Sequence, residues 1–88
     1  MPPPVNMAKI KFDGTMFFKE NKSGIGVVVW DENGLVLGSC IKRLFQAYSA
    51  MEIEAMAATT ALVFSNDIGV RRAILEGDSL AVIKAERV

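Results

Sequence analysis

Asp13, Glu54 and Asp78 are the residues of this 88-residue chain whose types and settings point to chemistry. Asp13 ends the apolar run Ala8-Lys9-Ile10-Lys11-Phe12. Glu54 is embedded in Ile53-Glu54-Ala55-Met56-Ala57-Ala58, and Asp78 closes Ala73-Ile74-Leu75-Glu76-Gly77. A carboxylate among apolar neighbours is costly unless a cation meets it. Three such groups, brought together, would suit a divalent metal, because oxygen-only ligands favour hard cations such as magnesium.

Histidine is absent and there is one cysteine, Cys40. Serine–histidine and cysteine–histidine catalysis, histidine metal sites and intrachain disulfides are therefore excluded for this stretch of chain. Cys40 reads as a small core hydrophobe on a strand. The 10 basic and 10 acidic residues cancel, so a polyanion would need a local patch rather than bulk attraction. No apolar run approaches the ~20 residues of a membrane span, and no signal-peptide plan is present. Residues 1–7, with Pro2, Pro3 and Pro4, read as an extended lead-in, and residues 8–88 as one domain. An intracellular setting, nuclear or cytoplasmic, is expected.

The elements that must position the three acids follow from pattern. Residues 8–13 read as a strand, and Ile25-Gly26-Val27-Val28-Val29-Trp30 is β-branched and strand-forming. Asp31-Glu32-Asn33-Gly34 predicts a tight hairpin, with Asn-Gly supplying the positive φ angles, and residues 35–41 return as a third strand. A helix is expected from Ala50 to Asn66. Ser49 and Glu52 have the spacing of a capping box, which gives Glu52 a structural task and leaves Glu54 without one. Met51, Ala55, Ala58 and Leu62 are the expected buried stripe, and Gly69 the left-handed stop. Residues 71–77 are expected as a fourth strand and a second helix from Ser79. Met51, Met56, Phe45 and Phe64 read as core, and Glu76 as solvent-facing.

A strand, a crossover helix and a further strand pair parallel and right-handed. Strand four then lies beside strand one, the sheet order is 3-2-1-4, and Asp13 and Asp78 end neighbouring parallel strands, with Glu54 carried across that face. Separately, each acid has a plainer reading: Asp13 as an Asp-Gly turn residue, Glu54 as a solvated helix position, Asp78 as a helix N-cap.

Ile10-Lys11-Phe12-Asp13-Gly14, Ile53-Glu54-Ala55-Met56-Ala57-Ala58 and Leu75-Glu76-Gly77-Asp78-Ser79 resemble, in order, the first three motifs of ribonuclease H. Gly24-Ile25-Gly26-Val27-Val28-Val29 and Gly34-Leu35-Val36-Leu37 make the chain similar to the plant-type, reverse-transcriptase-associated branch, common in retroelement-derived proteins. The resemblance spans residues 8–88. It implies an α/β ribonuclease H-like fold, a mixed sheet of order 3-2-1-4 with the fifth strand missing and helices packed on it. It also implies metal-dependent hydrolysis of the RNA strand of RNA–DNA hybrids, by two Mg2+ (or Mn2+) ions. Asp13 would bridge them, and Glu54 and Asp78 would bind on the flanks. The family's fourth metal-binding acid and a loop histidine lie past the position matching Val88, so three-quarters of a site is expected here. Two departures stand out: Lys11 on the strand face of Asp13, and Trp30 where the branch often has arginine. Two other readings remain open. One is a non-catalytic nucleic-acid-binding or assembly module on the same scaffold. The other is a sugar-kinase or actin-like ATPase fragment, for which Asp13-Gly14-Thr15 lacks the required spacing.

Overall fold

Alternation from Ala8 onward sorts side chains by parity, and the computed structural model, which describes residues 7–77 and the backbone of 82–86, follows that sorting. Ala8, Ile10 and Phe12 are buried, whereas Lys11 and Asp13 are exposed. The strand they belong to, β1 (Ala8–Phe17), runs four residues past its expected end. A 3-10 turn, Phe18–Glu20, leads into β2 (Lys22–Trp30), which pairs antiparallel with β1 from Lys9↔Trp30 to Phe17↔Lys22. Then follow β3 (Val36–Leu44), α1 (Ala50–Asp67), β4 (Arg72–Glu76) and β5 (Val82–Glu86).

The sheet order is β3-β2-β1-β4-β5. The meander and the parallel β1–β4 pair sit as the sequence implied, with Ile10 opposite Leu75 and Lys11 opposite Glu76. The tail differs. A helix from Ser79 was expected, with the β4 edge left open; instead Val82–Glu86 is a strand, antiparallel to β4. Val82 and Ile83 are β-branched strand formers, and their pairing satisfies backbone groups that an open β4 edge would leave unpaired. A short isolated helix has no comparable gain.

The β2–β3 hairpin also closes differently. The Gly34 amide donates to the Asp31 carbonyl over 3.1 Å, and Asp31 Oδ1 accepts from the Asn33 and Leu35 amides at 2.8 and 2.9 Å. Gly34 alone takes positive φ in this turn, at 83°. It is therefore a type I turn followed by a left-handed glycine, a three-residue hairpin loop in place of the Asn-Gly pair of positive φ angles.

One helix covers one face. The core joins Ile10, Phe12, Val27, Val29 and Leu75 to Ile53, Ala57 and Ala61 of α1. The buried stripe of α1 is Ile53, Ala57, Ala61 and Ser65, spaced by four, rather than Met51, Ala55, Ala58 and Leu62. Met51 is 84% exposed and Phe45 82% exposed, so neither is core. Met56, Phe64 and Cys40 are half-buried against it. Small residues at 57 and 61 let the helix axis approach the sheet. The bulkier Met51, two residues before Ile53, lies off that stripe and in solvent.

Both helix ends are capped as their residues imply. Ser49 Oγ accepts from the Glu52 amide at 3.2 Å and Glu52 Oε1 from the Ser49 amide at 3.0 Å. At the other end Val70 N–H reaches the Ser65 carbonyl and Gly69 N–H that of Asn66, with Gly69 at φ 86°. That pair of bonds is a Schellman motif. Among the described residues no helix is long and apolar enough to cross a membrane.

Candidate metal and nucleic-acid site

The position of Glu54 follows from three tethers upstream of it. Ser23, buried at the start of β2, donates through Oγ to the Gln46 carbonyl at 2.8 Å and accepts from the Tyr48 amide at 3.2 Å. Asn21 Oδ1 accepts from the Ala47 amide at 3.0 Å. Asn21 is left-handed, φ 51°, a conformation its short polar side chain tolerates. The loop entering α1 is thus tied to β2, the capping box fixes the first turn, and Ile53 sets the helix against β1. A Cβ on Gly14 would lie 2.7 Å from Ile53 Cγ1, so the strand accepts the helix there because residue 14 has no side chain.

The result is a cleft of about 140 Å³ bordered by Asp13, Gly14, Met16, Ala50, Ile53 and Glu54. Glu54 is half-buried and its carboxylate turns toward the end of β4. Its Oε1 lies 3.3 Å from where a Cβ on Gly77 would stand, while Phe12 ring carbons lie 2.8 and 2.9 Å from that point. Gly77 is in this way a cradle that any side chain would fill. β4 pairs with β1 only as far as Lys11↔Glu76, so beyond it β1 has no strand neighbour on that side among the described residues. Asp13 stands in that unflanked part and borders the clefts on both sheet faces.

Asp13 and Glu54 are therefore brought to one cleft. Both also take part in polar or electrostatic interactions within the chain. Asp78 lies outside the described residues; it follows Gly77 directly in the chain. Among the described residues no three acidic side chains converge. The donor set at the cleft is carboxylate oxygen, which fits Mg2+ or Mn2+ rather than a soft metal.

The surrounding charges differ from expectation in one respect. Glu76 is half-buried rather than fully open to solvent: its Oε2 is shielded and lies 3.2 Å from Lys9 Nζ, without hydrogen-bond alignment. Lys9, not Lys11, is the cation that meets a carboxylate on β4, and Lys11 remains exposed. Glu52, the capping acid, has its carboxyl pKa held below the ordinary value of about 4.5 by the backbone and then the side-chain hydrogen bond of Ser49. The anchors Ser23 and Asn21 escaped sequence reasoning, because their partners lie more than twenty residues away with no local signature.

The family model described as reverse transcriptase-like matches residues 11–86. No curated protein sequence matches the chain significantly. Among solved structures, ribonuclease H1 of the halophilic archaeon Halobacterium salinarum NRC-1 is similar in fold, with a TM-score of 0.74 and 21% identity. The similarity covers 82% of this chain and 54% of that one, so the chain spans about half the length of that neighbour.

Proposed function

The chain belongs to the reverse transcriptase-like family, and from that premise we propose that it binds nucleic acid and hydrolyses the RNA strand of RNA–DNA hybrids with divalent metal. Asp13, Glu54 and Asp78 would hold the ions, Mg2+ or Mn2+, two in a complete site. When bound, such a pair supplies Lewis-acid stabilisation and an activated water for in-line phosphoryl displacement. The chain's own part is positioning. Asp13 is fixed by the strand, Glu54 by the capped and tethered helix, and Gly77 leaves room for the carboxylate beside the chain that continues into Asp78. The plant-type, retroelement-derived assignment belongs to the same proposal and rests on the motifs around Gly24–Val29 and Gly34–Leu37.

One observation carries the reading most: Glu54 Oε1 faces the glycine that directly precedes Asp78 while sharing a cleft with Asp13. The test pairs a binding readout with an activity readout. Mg2+ should raise the thermal midpoint of the wild type, since a ligand of the native state stabilises it by mass action, and Asp13→Asn should abolish that shift. Cleavage of a labelled hybrid should require Mg2+, stop in EDTA, and fall with Asp13→Asn or Glu54→Gln by at least the 10–100-fold typical of damaged metal sites. Hybrid affinity that persists in EDTA, with no cleavage and no metal-dependent shift, would establish the non-catalytic binding module instead.

A further inference from the structure

Resting on that metal reading, we propose that Ser23 is a positioning residue for the site: its hydroxyl sets where α1 begins and so where the Glu54 carboxylate stands. Ser23 and Ser65 are the buried polar side chains among the described residues. Ser65 donates within its own helix, to the Leu62 carbonyl at 3.0 Å. Ser23 instead spans elements, since its two partners lie 23 and 25 residues away, on either side of Ala47. Strand pairing does not need that hydroxyl. Met16 of β1 and Leu44 of β3 pair with residue 23 through the backbone, and an apolar β-branched residue would serve the ladder as well.

Two contacts hold the start of α1, and they constrain different things. Ile53 against Gly14 sets how closely the helix approaches β1, but an apolar contact is non-directional and permits sliding and rotation. The Ser23 hydroxyl makes two directional bonds, 2.8 Å to the Gln46 carbonyl and 3.2 Å from the Tyr48 amide. Tyr48 directly precedes the N-cap Ser49, and the capping box joins Ser49 to Glu52. Every residue from Tyr48 to Glu54 is thus hydrogen-bonded or helical, with no free segment to absorb a shift. Ser23 is not among the residues bordering the Asp13–Glu54 cleft, although its strand partner Met16 is. It therefore acts through Glu54 rather than on a metal or a substrate.

Asn21 supports the same loop more weakly. Its Oδ1 accepts from the Ala47 amide at 3.0 Å, but the residue is exposed, and water can take that bond over. Water has no such access to Ser23, which is 3% exposed. Loss of the Ser23 hydroxyl leaves a carbonyl and an amide without partners, and the loop must move to satisfy them. That movement carries the start of α1 with it and turns Glu54 off the cleft that it shares with Asp13.

The experiment uses the intact chain and follows its thermal midpoint against Mg2+ concentration. In Ser23→Ala the half-saturating Mg2+ should rise by about tenfold or more, the usual effect of disturbing the groups behind a metal's ligands. Cleavage of a labelled hybrid should fall at low Mg2+ and return at high Mg2+, because both carboxylates remain. Ser23→Thr keeps the hydroxyl and should respond to Mg2+ as the wild type does. Asn21→Gly keeps the left-handed backbone and should shift the half-saturating Mg2+ less than Ser23→Ala. Val70→Ala weakens the core beyond the other end of α1 and should leave that concentration unchanged. If Ser23→Ala does not fold, Ser23→Cys takes its place, its thiol being a weaker donor and acceptor. In EDTA, amide exchange at Ile53 to Met56 of Ser23→Ala should quicken more than exchange at Val27 and Val29 of β2. In Val70→Ala the two sets should change together. A wild-type Mg2+ response in the Ser23 variant, or an equal loss of response in Val70→Ala, would overturn the proposal, as would unaltered relative exchange at the helix start. A wild type indifferent to Mg2+ would instead overturn the metal reading, and exchange would still decide the tether.

Discussion

The two halves of β1 have opposite surroundings. Residues 8–11 lie between β2 and β4, with Ile10 fully buried opposite Leu75. From Phe12 onward the strand keeps β2 but loses β4, and α1 leans on it at Gly14. The first half anchors the sheet, and the second half holds Asp13 where a strand neighbour would otherwise close access. A carboxylate can stand in the middle of a sheet when one adjacent strand stops short.

The largest effect expected from breaking this contrast is in the flanked half. Leu75→Ala should cost about 2–5 kcal/mol, the range for a buried leucine with no room to collapse. For a domain of this size that is most of the stability, so urea denaturation should show a chain already unfolded or nearly so in water. An ordinary urea midpoint for this variant would remove Leu75 from the core.

In the unflanked half the sensitive position is Gly14. Gly14→Ala forces a Cβ to within 2.7 Å of Ile53 Cγ1, an atom close to the helix rather than a flexible tip. We expect about 1–3 kcal/mol of overpacking, and a displaced Glu54 that weakens the Mg2+-dependent midpoint shift. Adding Ile53→Ala should cost less than the two single changes summed, because the mutated atoms are in contact. Strict additivity would mean that helix and strand are not coupled there.

The smallest effect concerns the helix start. Ser49→Ala should cost about 1 kcal/mol. It should also reduce a pH dependence of wild-type stability, because the Ser49 side-chain bond is lost while the larger one, from its backbone amide, is one that alanine can still make. Glu52 has a folded-state pKa below its unfolded one. Its contribution is therefore present above the unfolded pKa and is lost as pH falls through the folded pKa. A urea midpoint series over that acid range should slope less in Ser49→Ala than in the wild type.

Much of this was legible in the chain because the signals are local. Alternation marked β1 and β2, Ser49 with Glu52 marked the helix start, and Gly69 its end. The face of α1 was not legible. Ala, Met and Leu occupy nearly every side of that helix, so periodicity pointed to Met51, Ala55, Ala58 and Leu62, whereas packing on the sheet selects Ile53, Ala57, Ala61 and Ser65. The tail is illegible for a related reason. Val82 and Ile83 fit a helix pattern and a strand alike, and the neighbouring edge of β4 decides. Of the candidate site, Asp13 and Glu54 were readable as acids in apolar runs. Gly77 was not, since its importance lies in the space it leaves for a side chain from another element.

The loop between β3 and α1 carries one further implication. Its three anchors to β2 are main-chain atoms: the Gln46 carbonyl and the Ala47 and Tyr48 amides. None depends on a loop side chain. Substitutions in this loop should therefore leave the three bonds in place, whereas one inserted residue would move the carbonyl off Ser23 and rotate every helix position after it. Length, rather than side-chain identity, is what this segment contributes, and it sets the angle at which Glu54 meets the cleft.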